Sequence, residues 1–279
     1  MLESRPTEPG GPGVNRELTT LYLSPHLDDV VLSCPGHLLA QRALGQEVVI
    51  LTIFSGSTED HRPQYSRRKQ EDRAAGRVLE AAMVHGDLLD APFRGYRDFE
   101  SIIFGHPDSP DLNALLEQAV ATLRPSLVCS PLGVGGHVDH RLVYEAALSL
   151  DHENTLFYED RPYAFVNEAV ALRLGQPLDF GSFASSWRQA RYVGTYLPES
   201  QWRAVVQRYR SASTVAHYLS PTIRAFPEHE QAIKQAVASY STQIEDWFGD
   251  LAGWEDMTKA YNGQLNSTVY AERYWATAP

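Results

Sequence analysis

Between residues 18 and 160 the chain alternates short apolar runs with longer amphipathic ones, and this alternation leaves few folds open. LTTLYLS (18–24), EVVILTIF (47–54), VHGDLLD (84–90), PSLVCSP (125–131) and NTLFYED (154–160) read as strands. The stretches 28–45, 67–83, 111–124 and 136–150 between them read as helices. Gly45 closes the first of these, and Pro35 inside it either kinks it or starts the main helix with Cys34 as cap. Strand–helix alternation of this kind gives a mainly parallel sheet covered by helices on both faces, with right-handed crossovers. The expected fold is therefore α/β, a Rossmann-like doubly wound sheet.

After residue 160 the alternation weakens. Stretches 201–212 and 229–249 read as helices, and 161–279 is expected to be an appended C-terminal lobe that lines or covers the active edge. Residues 1–16, rich in Pro, Gly and Glu, read as a disordered tail. Residues 17–279 then form one domain, with a core at 17–160. A hydrophobic content of 43% is enough for a sizeable core.

Other features narrow the function. No G-x-G-x-x-G follows the first strand, so the dinucleotide fingerprint is missing. The formal charge is −11 with no basic stripe, which argues against nucleic acid and against anionic membranes and favours a neutral or cationic small molecule. Two cysteines, Cys34 and Cys129, make neither a disulfide framework nor a zinc knuckle and read as small buried hydrophobes. The N-terminal stretch has no apolar h-region, and no apolar run reaches spanning length, so a soluble cytoplasmic protein is expected. A homo-oligomer is compatible with all of this.

Two loops carry the chemistry. SPHLDD (24–29) ends the first strand, and PLGVGGHVDH (131–140) follows the fourth. In a doubly wound sheet these strand ends flank the point where strand order reverses, the usual ligand crevice. His137 and His140, at i and i+3, face nearly the same way on a helix start. Catalytic zinc takes three His or carboxylate ligands and keeps a position for water. His26, Asp29 and His140 supply such a set. Asp28, next to a ligand, is placed to be the general base. His137 is placed to donate to an oxyanion or protonate a leaving amine. Asp139 is placed to orient one of the histidines. The bland reading of Asp28 and Asp29, a helix cap, is the better one for the pair alone and the weaker one once the three histidines are counted.

The same residues resemble a family. SPHLDD is similar to the (A/S)-H-P-D-D signature of the PIG-L/LmbE-like deacetylases, and GGHVDH to their H-x-D-H signature. RRKQEDRAAGRVL resembles the family's R-x-x-E-x-x-x-A helix, and YEDRPYA (158–164) a segment after the fifth strand in one branch. The resemblance covers about residues 18–164. It implies an LmbE-like fold and zinc-dependent removal of an N-acetyl group from an amino sugar or a sugar-containing natural-product intermediate. It also implies His26, Asp29 and His140 as zinc ligands, Asp28 as base and His137 as electrostatic or acid partner. Leu27 stands in place of the family's proline, and Val30 in place of a glutamate that often follows the aspartates.

Arg68 is expected from the resemblance to reach a substrate hydroxyl. Arg94 is a candidate substrate contact because the DAPFRGY loop (90–96) is placed to line the pocket. His37 reads as structural, and His61, His85 and His106 as surface residues. Two readings compete with deacetylation: another amide or acyl hydrolysis at the same site, such as a thiol-conjugate amidase, and a metal-retaining sugar-binding module. A retained Asp28 speaks against the last, since a binder needs no base.

Overall fold

The computed structural model describes residues 18–108, 111–150, 152–189, 204, 206, 207 and 219–277. The 1–16 tail and nearly all of the 201–212 helix expected from sequence lie outside the described residues.

Seven strands form one sheet in the order β3-β2-β1-β4-β5-β7-β6. They are β1 (Thr19–Ser24), β2 (Glu47–Thr52), β3 (Ala82–His85), β4 (Leu127–Pro131), β5 (Thr155–Tyr158), β6 (Leu219–Ala225) and β7 (Ala271–Thr277). The first five pair in parallel, while β7 pairs antiparallel with both β5 and β6. Strands β1, β2 and β4 are buried almost throughout, because helices cover both faces. Order reverses between β1 and β4, so the loops that leave these two strands open into one crevice.

The first helical stretch divides at Pro35. Helix α1 (Asp29–Ser33) ends there, and α2 (Pro35–Ala43) starts with Cys34 as N-cap. Proline fits the first turn, where no amide hydrogen is needed. The amides of Gly36 and His37 instead donate to the buried carboxylate of Glu272, at 2.7 and 2.9 Å. Helix α3 (Arg62–Leu79) begins five residues earlier than its composition suggests, with Pro63 in its first turn. Helices α4 (Phe99–Phe104), α5 (Leu112–Leu123), α6 (Val138–Ser149), α7 (Ala169–Arg173) and α8 (Phe180–Gln189) follow. The expected 229–249 helix is two helices, α9 (Glu230–Val237) and α10 (Ser241–Phe248), and α11 (Leu251–Gln264) comes next. Among the described residues no helix is long and apolar enough to cross a membrane.

The region after residue 160 is woven into the sheet through β6 and β7, which the sequence reading did not anticipate. Its attachment is polar as well as apolar. Glu159 accepts from Tyr261 Oη, Arg273 Nε and Trp275 Nε1. Arg161, 1% exposed, donates to Tyr270 Oη at 2.8 Å and to the Ala271 carbonyl at 2.7 Å. The segment that leaves β5 is thus held on both sides of Asp160.

Candidate metal centre and active site

The loop after β1 braces itself. Ser24 Oγ donates to the His26 carbonyl at 2.7 Å and accepts from the Val30 amide at 3.3 Å. The His26 amide donates to Asp29 Oδ2 at 2.7 Å. Asp28 closes the turn at φ 127°, ψ −29°. A side chain there costs about 1–3 kcal/mol, and such strain collects at functional sites. Leu27 and Val30 are each 1% exposed, so both departures from the family signature are filled by core packing.

The loop after β4 uses glycine where the backbone demands it. Gly135 sits at φ +84°, and a Cβ there would lie 2.3 Å from Tyr163 Cδ1. His137 then caps α6, its Nδ1 accepting from the Asp139 amide at 3.2 Å. With Nδ1 used as acceptor, the neutral ring carries its proton on Nε2.

These loops bring three atoms together. His26 Nδ1, Asp29 Oδ2 and His140 Nε2 are mutually 3.3 Å apart. A tetrahedral ion with bonds of about 2.0–2.1 Å needs ligand atoms about 3.3–3.4 Å apart. The spacing fits. The other Asp29 oxygen and both Asp28 oxygens are buried with no hydrogen-bond partner among the described residues. Five aspartates (Asp28, Asp29, Asp90, Asp139 and Asp160) are buried around the two histidines. So many carboxylates out of water call for cationic compensation, which Arg68 and Arg94 supply only in part. Residues and charge alike suit a divalent cation. Two overlapping groups, His26–His137–His140 and His26–Asp90–Asp139, also have metal-binding atoms close together, and His26 is common to all three sets.

Each histidine has its own carboxylate behind it. His140 Nδ1 meets Asp160 Oδ1 at 2.6 Å, and Asp160 Oδ2 accepts from the Gly133 and Val134 amides, both at 2.8 Å. His26 Nε2 meets Asp139 Oδ2 at 3.0 Å, and Asp90 Oδ1 lies 3.4 Å from the same nitrogen. Such partners fix which nitrogen faces the metal. Arg94 holds Asp139 Oδ1 through Nη2 and the Leu89 carbonyl through Nη1, with its guanidinium 4.5 Å from the Phe54 ring centre. The structure therefore places Arg94 behind Asp139. Arg68 reaches the Leu27 carbonyl at 3.4 Å and is close enough to Asp28 and Asp90 to be held charged by them.

Sequence reasoning missed Asp160 and the Asp72–Tyr240 pair, and it had Asp90 only as a residue of the pocket-side loop. Tyr240 Oη donates to Asp72 Oδ1 at 2.7 Å, and His85 Nε2 meets Asp72 Oδ2 at 2.8 Å. His85 is thus a paired, mostly buried side chain and not a surface residue. His37 is buried as expected of a structural residue, while His61 and His106 are exposed.

Burial, reinforced by Asp29, pushes the Asp28 carboxyl well above the ordinary range, against the pull of Arg68 and His26. Burial would also raise Asp29, but His140 and His26 outweigh it and bring that carboxyl to about 2. Burial, then His26, lowers His137 to about 3, so its ring is neutral. For His26 burial acts downward, and Asp90, Asp139 and Asp29 overcome it.

Residues 21–150 match the PIG-L family, described as GlcNAc-PI de-N-acetylase. A 2'-N-acetylparomamine deacetylase from Streptomyces fradiae is 36% identical over 168 residues, which is 54% of this chain and 60% of that protein. A 2'-N-acetylparomamine deacetylase from Niallia circulans is 28% identical over 185 residues, 51% of this chain and 66% of that protein. The matched part thus spans less than two thirds of each curated relative. The structure of the zinc-inhibited form of teicoplanin deacetylase has a TM-score of 0.65 at 21% identity, covering 93% of this chain and 98% of that one. The fold is the mostly parallel seven-stranded α/β sheet of LmbE-like deacetylases. Residues 21–150, which carry the match to the PIG-L family, contain both histidine–aspartate loops.

Proposed function

We propose that the chain hydrolyses the N-acetyl group of an amino sugar in a natural-product intermediate, with zinc held by His26, Asp29 and His140. The supporting observation is the 3.3 Å triangle of candidate ligand atoms beside the buried carboxylate of Asp28, which has no hydrogen-bond partner among the described residues. Bound zinc would acidify a water and polarise the acyl oxygen. Asp28, with both oxygens unengaged, takes up the water's proton. His137, neutral with its proton on Nε2, donates to the developing oxyanion. Asp139 and Asp160 keep the two ligand histidines in one tautomer and one orientation. Arg68 sets the charge of the wall beside Asp28. The curated relatives act on N-acetylated amino sugars, and the negative net charge suits a substrate carrying further amines. The same reading places the enzyme in the cytoplasm, where the buried thiols Cys34 and Cys129 stay reduced.

The test is zinc content by elemental analysis together with acetate release from 2'-N-acetylparomamine and from N-acetylglucosamine. About one zinc per chain is expected in the parent and little in His140→Ala. Asp28→Asn should keep the metal and lose roughly 10²–10⁴-fold in kcat. Unchanged turnover in Asp28→Asn would remove it as base, and a chain that takes up no metal would end the hydrolase reading.

A further inference from the structure

Helix α10 has no part in the chemistry above, yet it reaches the site through Arg68 and Tyr163. Its N-cap Tyr240 is tied to Asp72. The Gln243 amide satisfies its surroundings with its oxygen on Arg68 Nε and its nitrogen 3.0 Å from Glu71 Oε2. Trp247 follows Gln243 by four residues and shares its face. The Trp247 ring lies 6.4 Å from that of Tyr163, at 61°. Tyr163 in turn stands edge-on to His140, 5.4 Å away at 84°. A continuous wall therefore runs from Arg68 through Gln243 and Trp247 to Tyr163 and the ligand histidine.

Trp247 is half-buried, while Tyr163 is 9% exposed, so the indole is the larger accessible surface of this wall. The chain around it is acidic. Residues 241–256 hold Glu245, Asp246, Asp250, Glu255 and Asp256 and no Lys or Arg; Lys234 pairs with Glu255, while Glu245 and Asp246 are exposed on the same helix as the indole. An aromatic face in an acidic setting attracts a cation carried on an otherwise apolar ring surface, and tryptophan does so best.

We propose that Trp247 is the docking platform for a second, ammonium-bearing ring of the substrate, next to the ring that carries the acetamido group. This assignment rests on the deacetylase reading and deepens it. Trp247 then sets preference among amino sugars and leaves the bond-breaking step to the triangle and Asp28.

Three substrates separate these roles on the zinc-loaded enzyme: N-acetylglucosamine (one ring), mono-N-acetylchitobiose (a second ring with a free ammonium) and N,N'-diacetylchitobiose (a neutral second ring). Trp247→Ala should raise KM for the ammonium-bearing disaccharide roughly tenfold with kcat kept, and leave kcat/KM for the single ring unchanged. Trp247→Phe should restore most of the loss. A loss equal for all three substrates, or none for the ammonium-bearing one, overturns the assignment. If the parent releases acetate from none of them and none from 2'-N-acetylparomamine, the deacetylase reading fails by itself. Calorimetric titration with chitobiose then decides the platform, and equal affinity in the parent and Trp247→Ala overturns it.

Discussion

Asp160 shows what one residue does at this centre. One oxygen holds His140 and the other holds two amides of the glycine-rich loop, so a single carboxylate fixes both a ligand and the loop that delivers it. Asp160→Asn should therefore weaken zinc binding about 10–100-fold, measured by competition with a chelating dye. An affinity equal to the parent's would show that His140 needs no such partner. His26, Asp29 and His140 were legible in the sequence because they sit in two short motifs whose spacing is itself informative. Asp160 was not. It is a lone aspartate at a strand end, and its partners lie at 133, 134 and 140, where only the fold brings them. Arg94 shows the opposite case: a basic residue in a pocket-side loop reads as a substrate contact, and in the fold its guanidinium is engaged by Asp139 and Leu89.

Among the elements, α10 is attached through its first turn. Glu71 of α3 accepts from Ser241 Oγ at 2.7 Å, from the Thr242 amide at 3.2 Å and from Thr242 Oγ1 at 2.6 Å. A carboxylate at a helix N-terminus satisfies amides and complements the dipole. Glu71→Ala should cost about 1–2 kcal/mol, as loss of a cap does, and lower Tm. Unfolding with denaturant measures it, and a change below a few tenths of a kcal/mol would mean that the cap is replaced by water. Five parallel strands were readable from alternating apolar runs because both faces of each are covered. Strands β6 and β7 were not readable, for two different reasons. LSPTIRA is an edge strand, exposed along nearly its whole length and containing Pro221, so it carries no core pattern. AERYWAT buries Glu272, whose partners are helix amides and Tyr274, and pairs Arg273 with Glu159, so its charges hide a core strand.

For the whole molecule, acid sensitivity has a well-placed source away from the proposed metal site. His37 is 1% exposed, with Nδ1 at 2.7 Å from Tyr22 Oη and Nε2 at 3.0 Å from Gln41 Nε2. Burial, with Arg224 adding to it, lowers its pKa from 6.5 to about 4. Between those values the unfolded chain binds a proton that the folded chain refuses, so stability falls as pH drops from about 6.5 to about 4. The loss comes to about 3 kcal/mol. His37→Gln should flatten the stability curve of the metal-free protein in that window relative to the parent, while an identical slope in both would assign the acid loss to other groups. The triplet Glu159–Asp160–Arg161 carries a further consequence, one of timing. Asp160 braces His140 in the proposed metal centre, but its flanking Glu159 is anchored by side chains 102 to 116 positions further along the chain. At synthesis rates of about 5–20 residues per second, these anchors emerge from the ribosome roughly 5–25 s later. During that interval the nascent chain already holds His26, Asp29, His140 and Asp160 but not the anchors that hold the segment around Asp160. The proposed site is therefore fully braced only after β7 has joined the sheet.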